Sequence, residues 1–203
     1  MCVTVTSEQS KIYETALLAR EMALERRPGT AIEVLDSRAA SSAMGLIALE
    51  AARAANTGAD LARTLDAARG MIPRVTYLAM VETLYYLART GRIGKAAAWA
   101  GSMLNIKPIV GHDTSVGLTT PVARPRTRAK AVNLLLELMS DKIGDSQAHV
   151  IVNHADELED GKKLEAEIAS RFNCVEIHLA EFAPSMGIHA GPGVLGAAFY
   201  TDE

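Results

Sequence analysis

The sequence predicts an α/β protein of two α/β domains, the first a parallel Rossmann-like sheet and the second a mixed sheet with helices. Three observations carry this. Short apolar runs alternate with helix-length segments through the first third of the chain, over connections too short for anything but right-handed crossovers between parallel strands. From Glu82 onward the elements shorten and a hairpin pattern enters, which sets a soft boundary near residue 81 and domains of 1–81 and 82–203. The 203 residues are 49% hydrophobic but only 4% aromatic, so a full-sized core must be filled by Leu, Ile, Val, Met and Ala.

In order, Val3 to Thr6 reads as a strand, with Ser7 as the natural N-cap of the next helix. Ile12, Ala16, Ala19 and Ala23 recur on one face of that helix, which predicts a buried stripe. Pro28-Gly29 stops it, and Ala31 to Leu35 forms the next strand, ending at Asp36-Ser37-Arg38. Helices follow from Ser42 to Ala55 and from Asp60 to Gly70, the latter burying Leu61, Leu65 and Ala68; Val75 to Ala79 is the third strand. Because the chain opens directly on a strand, and three strands make a thin layer, the first domain is expected to be truncated. Its uncovered sheet edge would invite self-association.

In the second domain, short helices over Thr83 to Ala88 and Lys95 to Met103 flank Gly91-Arg92-Ile93. Ile106 to Val110 and Leu118 to Ala123 pair as a hairpin through a turn containing Gly111. Ala131, Leu134, Leu135 and Leu138 mark a helix, and His149 to Asn153 (strand) and Leu158 to Arg171 (helix) come next. Strands over Val175 to Leu179 and Leu195 to Tyr200 bracket Pro184 to Gly193, where three glycines and two prolines predict an irregular loop around His189.

Charge and composition exclude several classes. A net charge of −3 lacks the basic footprint of a general nucleic-acid binder. No apolar run of about twenty residues exists to insert stably in a membrane. The opening residues lack the basic region of a signal peptide, and the two cysteines, Cys2 and Cys174, form neither a disulfide framework nor a metal spacing, so the expected compartment is the cytoplasm. Zinc, phosphate-loop and dinucleotide fingerprints are absent, and no metal site is expected.

Candidate chemistry gathers at loop ends. Amides freed by Gly191 and Gly193 would make an anion nest beside His189, a group that titrates near neutrality. Ser7 and Ser10, where the first strand meets its helix, are either ordinary caps or hydroxyl donors to an anion at a helix N-terminus. Asp36-Ser37-Arg38 reaches the same rim. Arg124, Arg126, Arg128 and Lys130 crowd a strand-to-helix turn: a solvated face, or, since cations are disfavoured at a helix start, a contact for phosphate or an acidic partner. His112-Asp113 and His154-Ala155-Asp156 read as surface polar pairs. A Ser10–His189–Asp36 triad would describe a small hydrolase or acyltransferase, although Ser10 lacks the glycines of a nucleophile elbow. A module with no ligand is the third reading.

Several of these stretches together resemble the DegV family: Asp36-Ser37-Arg38 with Gly45, Leu84 and Leu87 before Gly91-Arg92-Ile93, Leu104-Asn105-Ile106-Lys107-Pro108-Ile109, Arg126-Thr127-Arg128-Ala129-Lys130-Ala131, and above all Gly187-Ile188-His189-Ala190-Gly191-Pro192-Gly193. The resemblance runs in order over nearly the whole chain. It implies two α/β domains holding a long-chain fatty acid between them, and a binding subunit, not an enzyme, that presents the carboxylate to the catalytic subunit of a bacterial fatty-acid kinase. The kinase would bring nucleotide and metal, so this chain needs no cofactor of its own. The resemblance further implies that Ser10 and His189 contact the carboxylate, with Arg92 and Arg126 on the rim. There are departures: the family's Ser-Gly-Thr reads Ser10-Lys11-Ile12 here, its His-Thr-Gly reads His189-Ala190-Gly191, and its N-terminal Asp-Ser motif and Thr-Ser-Gln-Pro loop have no counterpart.

Overall fold

A computed structural model describes residues 1–102 and 106–202. Met103, the expected end of a helix, and Leu104-Asn105 lie outside the described residues. The chain divides into two compact units, Met1–Val75 with Asp113–Leu118, and Thr76–His112 with Thr119–Glu203. The boundary expected near residue 81 falls just beyond a strand that belongs to the second unit.

In the first unit, β1 (Cys2–Thr4) pairs in parallel with β2 (Val34–Asp36), Val3 opposite Leu35, as the strand–helix–strand pattern requires. The helix between them, α1 (Ile12–Arg26), begins at Ile12 and not after Ser7. The expected stripe is a shared face, but it is not a core: no residue of α1 is buried, and Ile12, Leu18 and Met22 are each about half exposed or more. Spacing determines which side chains point together; only neighbouring elements determine whether they are covered. The core of this unit lies instead under α2 (Ser41–Asn56) and α3 (Leu61–Met71), where Leu35, Ala43, Leu46, Ile47, Leu65, Ala68 and Met71 are buried. Asp60 caps α3 by accepting from the Arg63 amide at 2.9 Å. Residues 113–118 are fastened to this unit by Thr6 Oγ1, which donates to Gly117 O (3.0 Å), and by Arg38, which donates to Thr114 O and Ser115 O (2.9 and 2.5 Å).

The second unit corrects the assignment of the third strand. β3 (Thr76–Met80) does not extend the parallel pair. It lies inside a six-stranded mixed sheet, antiparallel both to β4 (Ile109–Asp113) and to β8 (Leu195–Thr201). A strand buried on both faces reads alike in parallel and antiparallel sheets, so its partner is not legible locally. The sheet order is β5-β4-β3-β8-β6-β7, with β5 (Leu118–Ala123), β6 (Ala148–His154) and β7 (Cys174–Glu181). β6 runs antiparallel to β8 and parallel to β7. The expected β4–β5 neighbourhood holds, but Gly111 lies within β4 and the connecting turn is Thr114–Gly117.

The two faces of β3 show why its residues alternate. Leu78 and Met80 join a cluster with Leu135, Leu136, Met139 and Ile143 of α5 (Arg128–Ile143) and Leu164 and Ile168 of α6 (Leu158–Arg171). Ala79 and Val81 pack on the other side with Leu84, Leu87, Val110 and Val194, beside α4 (Tyr85–Arg89) and a 3₁₀ segment, Gly94–Ser102. The segment expected to be an irregular loop contains a seventh helix, α7 (Pro184–Ala190). Proline at the first helical position is no obstacle, because that N–H has no intrahelical partner anyway and the ring already holds φ near its helical value. Among the described residues no helix is long and apolar enough to cross a membrane.

Candidate functional site

Strand directions in the second unit bring sequence-distant loops to one edge of its sheet. β3, β6 and β7 all end there, and β4 and β8, which run the other way, begin there. Ligand crevices in open α/β sheets form outside such strand ends. This edge carries Glu82 after β3, Lys107 before β4, the basic turn after β5, His154 at the end of β6, α7 after β7, and Gly191-Pro192-Gly193 before β8.

His189 lies in the last turn of α7 and is partly buried. Its Nδ1 is buried without a hydrogen-bond partner, an open position on a group that can both give and take a proton. Burial pushes the imidazole pKa below its ordinary 6.5, and the nearby positive charge of Arg92 pushes it the same way. Arg92, another of the expected residues, is thus near enough for its charge to act on the ring. Arg92 is steadied by donation from Nη1 to Thr90 O at 2.5 Å. Arg126 is exposed on the turn ahead of α5, while Arg124 of the same turn lies over the Trp99 ring at 5.0 Å.

The glycine amides do not make the expected nest. Gly191 N–H donates to Gly187 O (2.8 Å), closing α7, and Gly193 N–H donates to Ala155 O (2.9 Å). The glycines serve close packing instead. Both have positive φ, +79° and +83°, and a Cβ would collide with the Tyr86 ring at Gly191 and with the Glu82 side chain at Gly193. The turn after His189 is thus pressed onto the residues that follow β3.

Those residues carry a network that sequence reading missed. Arg128, the first residue of α5, donates Nη1 to Glu82 Oε1 (2.7 Å) and to Gly193 O (2.8 Å), and Nε to Asp160 Oδ2 (3.1 Å). Its Nη2 lies within ion-pair distance of Asp160 and of Glu157 (3.6 Å) without a hydrogen bond of its own. Lys107 donates to Glu82 as well. Burial alone would raise the Glu82 pKa, but the hydrogen bonds from Lys107 and Arg128 outweigh it and hold the carboxyl below its ordinary 4.5. A cation at a helix start is electrostatically disfavoured, and that was the legible signal of an acidic partner. For Arg128 the partners are internal.

Of the pair expected at the surface, Asp156 is exposed but His154 is not. His154 is 3% exposed, its Nδ1 accepting from the Glu157 amide at 3.4 Å, and Asp156 takes a left-handed backbone, φ +56°. Asp156 and Glu181 line a pocket of about 440 Å³ with Phe182, Pro184, Gly187 and Gly191. Two carboxylates there would repel an anion.

In the first unit, Ser10 precedes α1 and its Oγ accepts from the Ile12 amide at 3.3 Å. The Asp36 carboxylate accepts from the Ser7 hydroxyl (2.6 Å) and from the amides of Ser7 (3.3 Å) and Arg38 (2.8 Å). Asp36 is committed as a loop staple, a different task from orienting the histidine of a triad. Among the described residues no group of three or more His, Cys, Asp and Glu is placed to hold a metal ion.

Comparison with known proteins gives the following. Residues 1–202 match the family described as "Uncharacterised protein, DegV family". A DegV domain-containing protein of Clostridium acetobutylicum is 34% identical over 206 residues, covering 100% of this chain and 70% of that protein. One from Streptococcus pyogenes serotype M1 is 32% identical over 190 residues, covering 94% of this chain and 65% of that protein. The chain thus spans about two thirds of the length of these curated relatives. Among solved structures, a DegV family protein from Thermus thermophilus, described by its fatty acid binding, superposes with a TM-score of 0.86 at 27% identity, over 98% of this chain and 69% of that one.

Proposed function

The chain belongs to the DegV family, and from that premise we propose that it binds a long-chain fatty acid and presents the carboxylate to the catalytic subunit of a fatty-acid kinase. The observation that carries the reading is His189: an imidazole with an open, buried Nδ1, held near Arg92 at the strand ends of the second unit. A neutral imidazole donates one N–H to a carboxylate oxygen, and the guanidinium charge nearby favours the anion. Fatty acid binding described for the Thermus thermophilus relative supports the same ligand class.

In this reading the apolar tail supplies most of the affinity, at about 0.8 kcal/mol per buried CH₂, and the polar residues fix the position of the reacting end. Ser10 is a second carboxylate contact, and exposed Arg126 meets the kinase or its phosphate. The phosphoryl transfer belongs to the kinase, which brings its own nucleotide and metal. This chain is a ligand-binding subunit without a cofactor, and the cytoplasm is where it meets that partner.

The test is lipid analysis of the purified protein by native mass spectrometry, followed by phosphorylation of the bound fatty acid with added kinase. His189→Ala should reduce acyl phosphate formation more than it reduces retention of the fatty acid. Equal loss of both, with the fold intact, would count against a head-group role. Arg126→Ala should leave fatty acid retention unchanged and weaken kinase coupling in a salt-dependent way.

A further inference from the structure

We propose that Arg128 is the positioning residue for His189, holding the Gly191-Pro192-Gly193 turn, and with it the end of α7, in the geometry that a carboxylate meets. No residue of α7 is fully buried; Ala190 at its end packs against the cluster of Leu84, Leu87 and Val194, and the rest of the helix is only partly covered. It is held from its two ends. On the near side, Phe182 N–H donates to His154 O at 2.8 Å, continuing the pairing of β7 with β6. On the far side Gly193 is gripped at both backbone groups: its N–H by Ala155 O (2.9 Å), its carbonyl by Arg128 Nη1 (2.8 Å). The same Nη1 donates to Glu82, the side chain over which Gly193 is packed so closely that a Cβ would not fit.

Arg128 suits this task for reasons of geometry. Its planar fork reaches Glu82 and Gly193 O through one nitrogen and Asp160 through another, so the turn is referred at once to β3, α5 and α6. An ammonium on a flexible stem offers no such fixed fork. The helix-start location, unfavourable for a lone cation, is balanced by Glu82, Glu157 and Asp160. The proposal rests on the fatty acid reading only for the identity of the group that His189 meets; the mechanical statement stands without it.

Two readouts on the full chain separate these. Backbone amide exchange in the ligand-free protein reports the mechanics, and binding of oleate reports the consequence. Arg128→Met should speed exchange at Gly187 to Gly193 by about tenfold, the loss of one charge-assisted hydrogen bond, with the inner residues of β6 and β8 unchanged. Oleate should bind about tenfold more weakly. Arg128→Lys, which keeps the charge, should recover part of both. If Arg128→Met does not fold, Glu82→Gln makes the same test with a smaller local rise. Unchanged exchange in the turn, or a uniform rise across the unit as for a general stabiliser, would overturn the proposal. A local rise in a protein whose wild type takes up no oleate would uphold the positioning role and overturn the fatty acid reading instead.

Discussion

At His189 two neighbours act in the same direction, burial first and the Arg92 charge second, so the folded protein prefers the neutral ring. The sign of the pH effect follows. Between the ordinary value of 6.5 and the lower folded one, the unfolded chain binds more protons, so stability falls as pH drops through that window. An imidazole carbon resonance of His189 followed by NMR should titrate below 6.5, and His189→Gln should remove that component of the stability profile. An unshifted titration would mean that Arg92 and burial do not act on the ring. Glu82 behaves oppositely. Despite burial, which raises it, the bonds from Lys107 and Arg128 keep its pKa below 4.5, so its contribution is present above that value and is lost as pH falls through the folded one. Glu82→Gln should therefore lower stability most near neutral pH and least in acid, flattening the acid limb of the curve, as measured by urea unfolding across pH.

At the scale of elements, two helices show opposite relations between pattern and packing. α5 buries Ala131, Leu135, Leu136, Met139 and Ile143 against the six-stranded sheet. Leu135→Ala should cost about 2–5 kcal/mol, since a rigid core relaxes little around the cavity. In α1, by contrast, Ile12→Ala should change stability by no more than about 0.5 kcal/mol, because Ile12 is 55% exposed. Denaturant melts of the two variants decide this, and a large loss at Ile12 would show that α1 is covered. The turn closing α7 gives a sharper case. Gly191→Ala carries both the left-handed penalty, about 1–2 kcal/mol, and a collision with Tyr86. Adding Tyr86→Ala should relieve the collision but not the backbone term, so the pair should be measurably non-additive. Strict additivity would mean that the ring does not press on the turn.

At the scale of the molecule, among the described residues of the first unit β1 pairs with β2 alone, and Ile12, Leu18 and Met22 of α1 face water. Unpaired strand edges and grouped apolar side chains recruit other chains. This 203-residue chain is expected to self-associate with rising concentration, and Leu18→Glu should reduce it; a monomer by sedimentation velocity at about 100 μM would contradict that expectation. The residues themselves determined a good deal of this protein. α5 follows from apolar spacing, α3 from its Asp60 cap, and the α/β class from the alternation of elements, because propensity, period and capping act within a few residues. The tight turn after His189 was also legible, since Gly191-Pro192-Gly193 allows little else. Tertiary structure alone decided the rest. It moved β3 into the antiparallel sheet, made a helix of the segment around His189, and left α1 uncovered. It also drew Glu82, Arg128, Asp160 and Gly193 together across more than a hundred residues of sequence. The physical reason is common to all of these: strand pairing, burial and ion pairing depend on which partner arrives from far along the chain, and no local pattern records the partner.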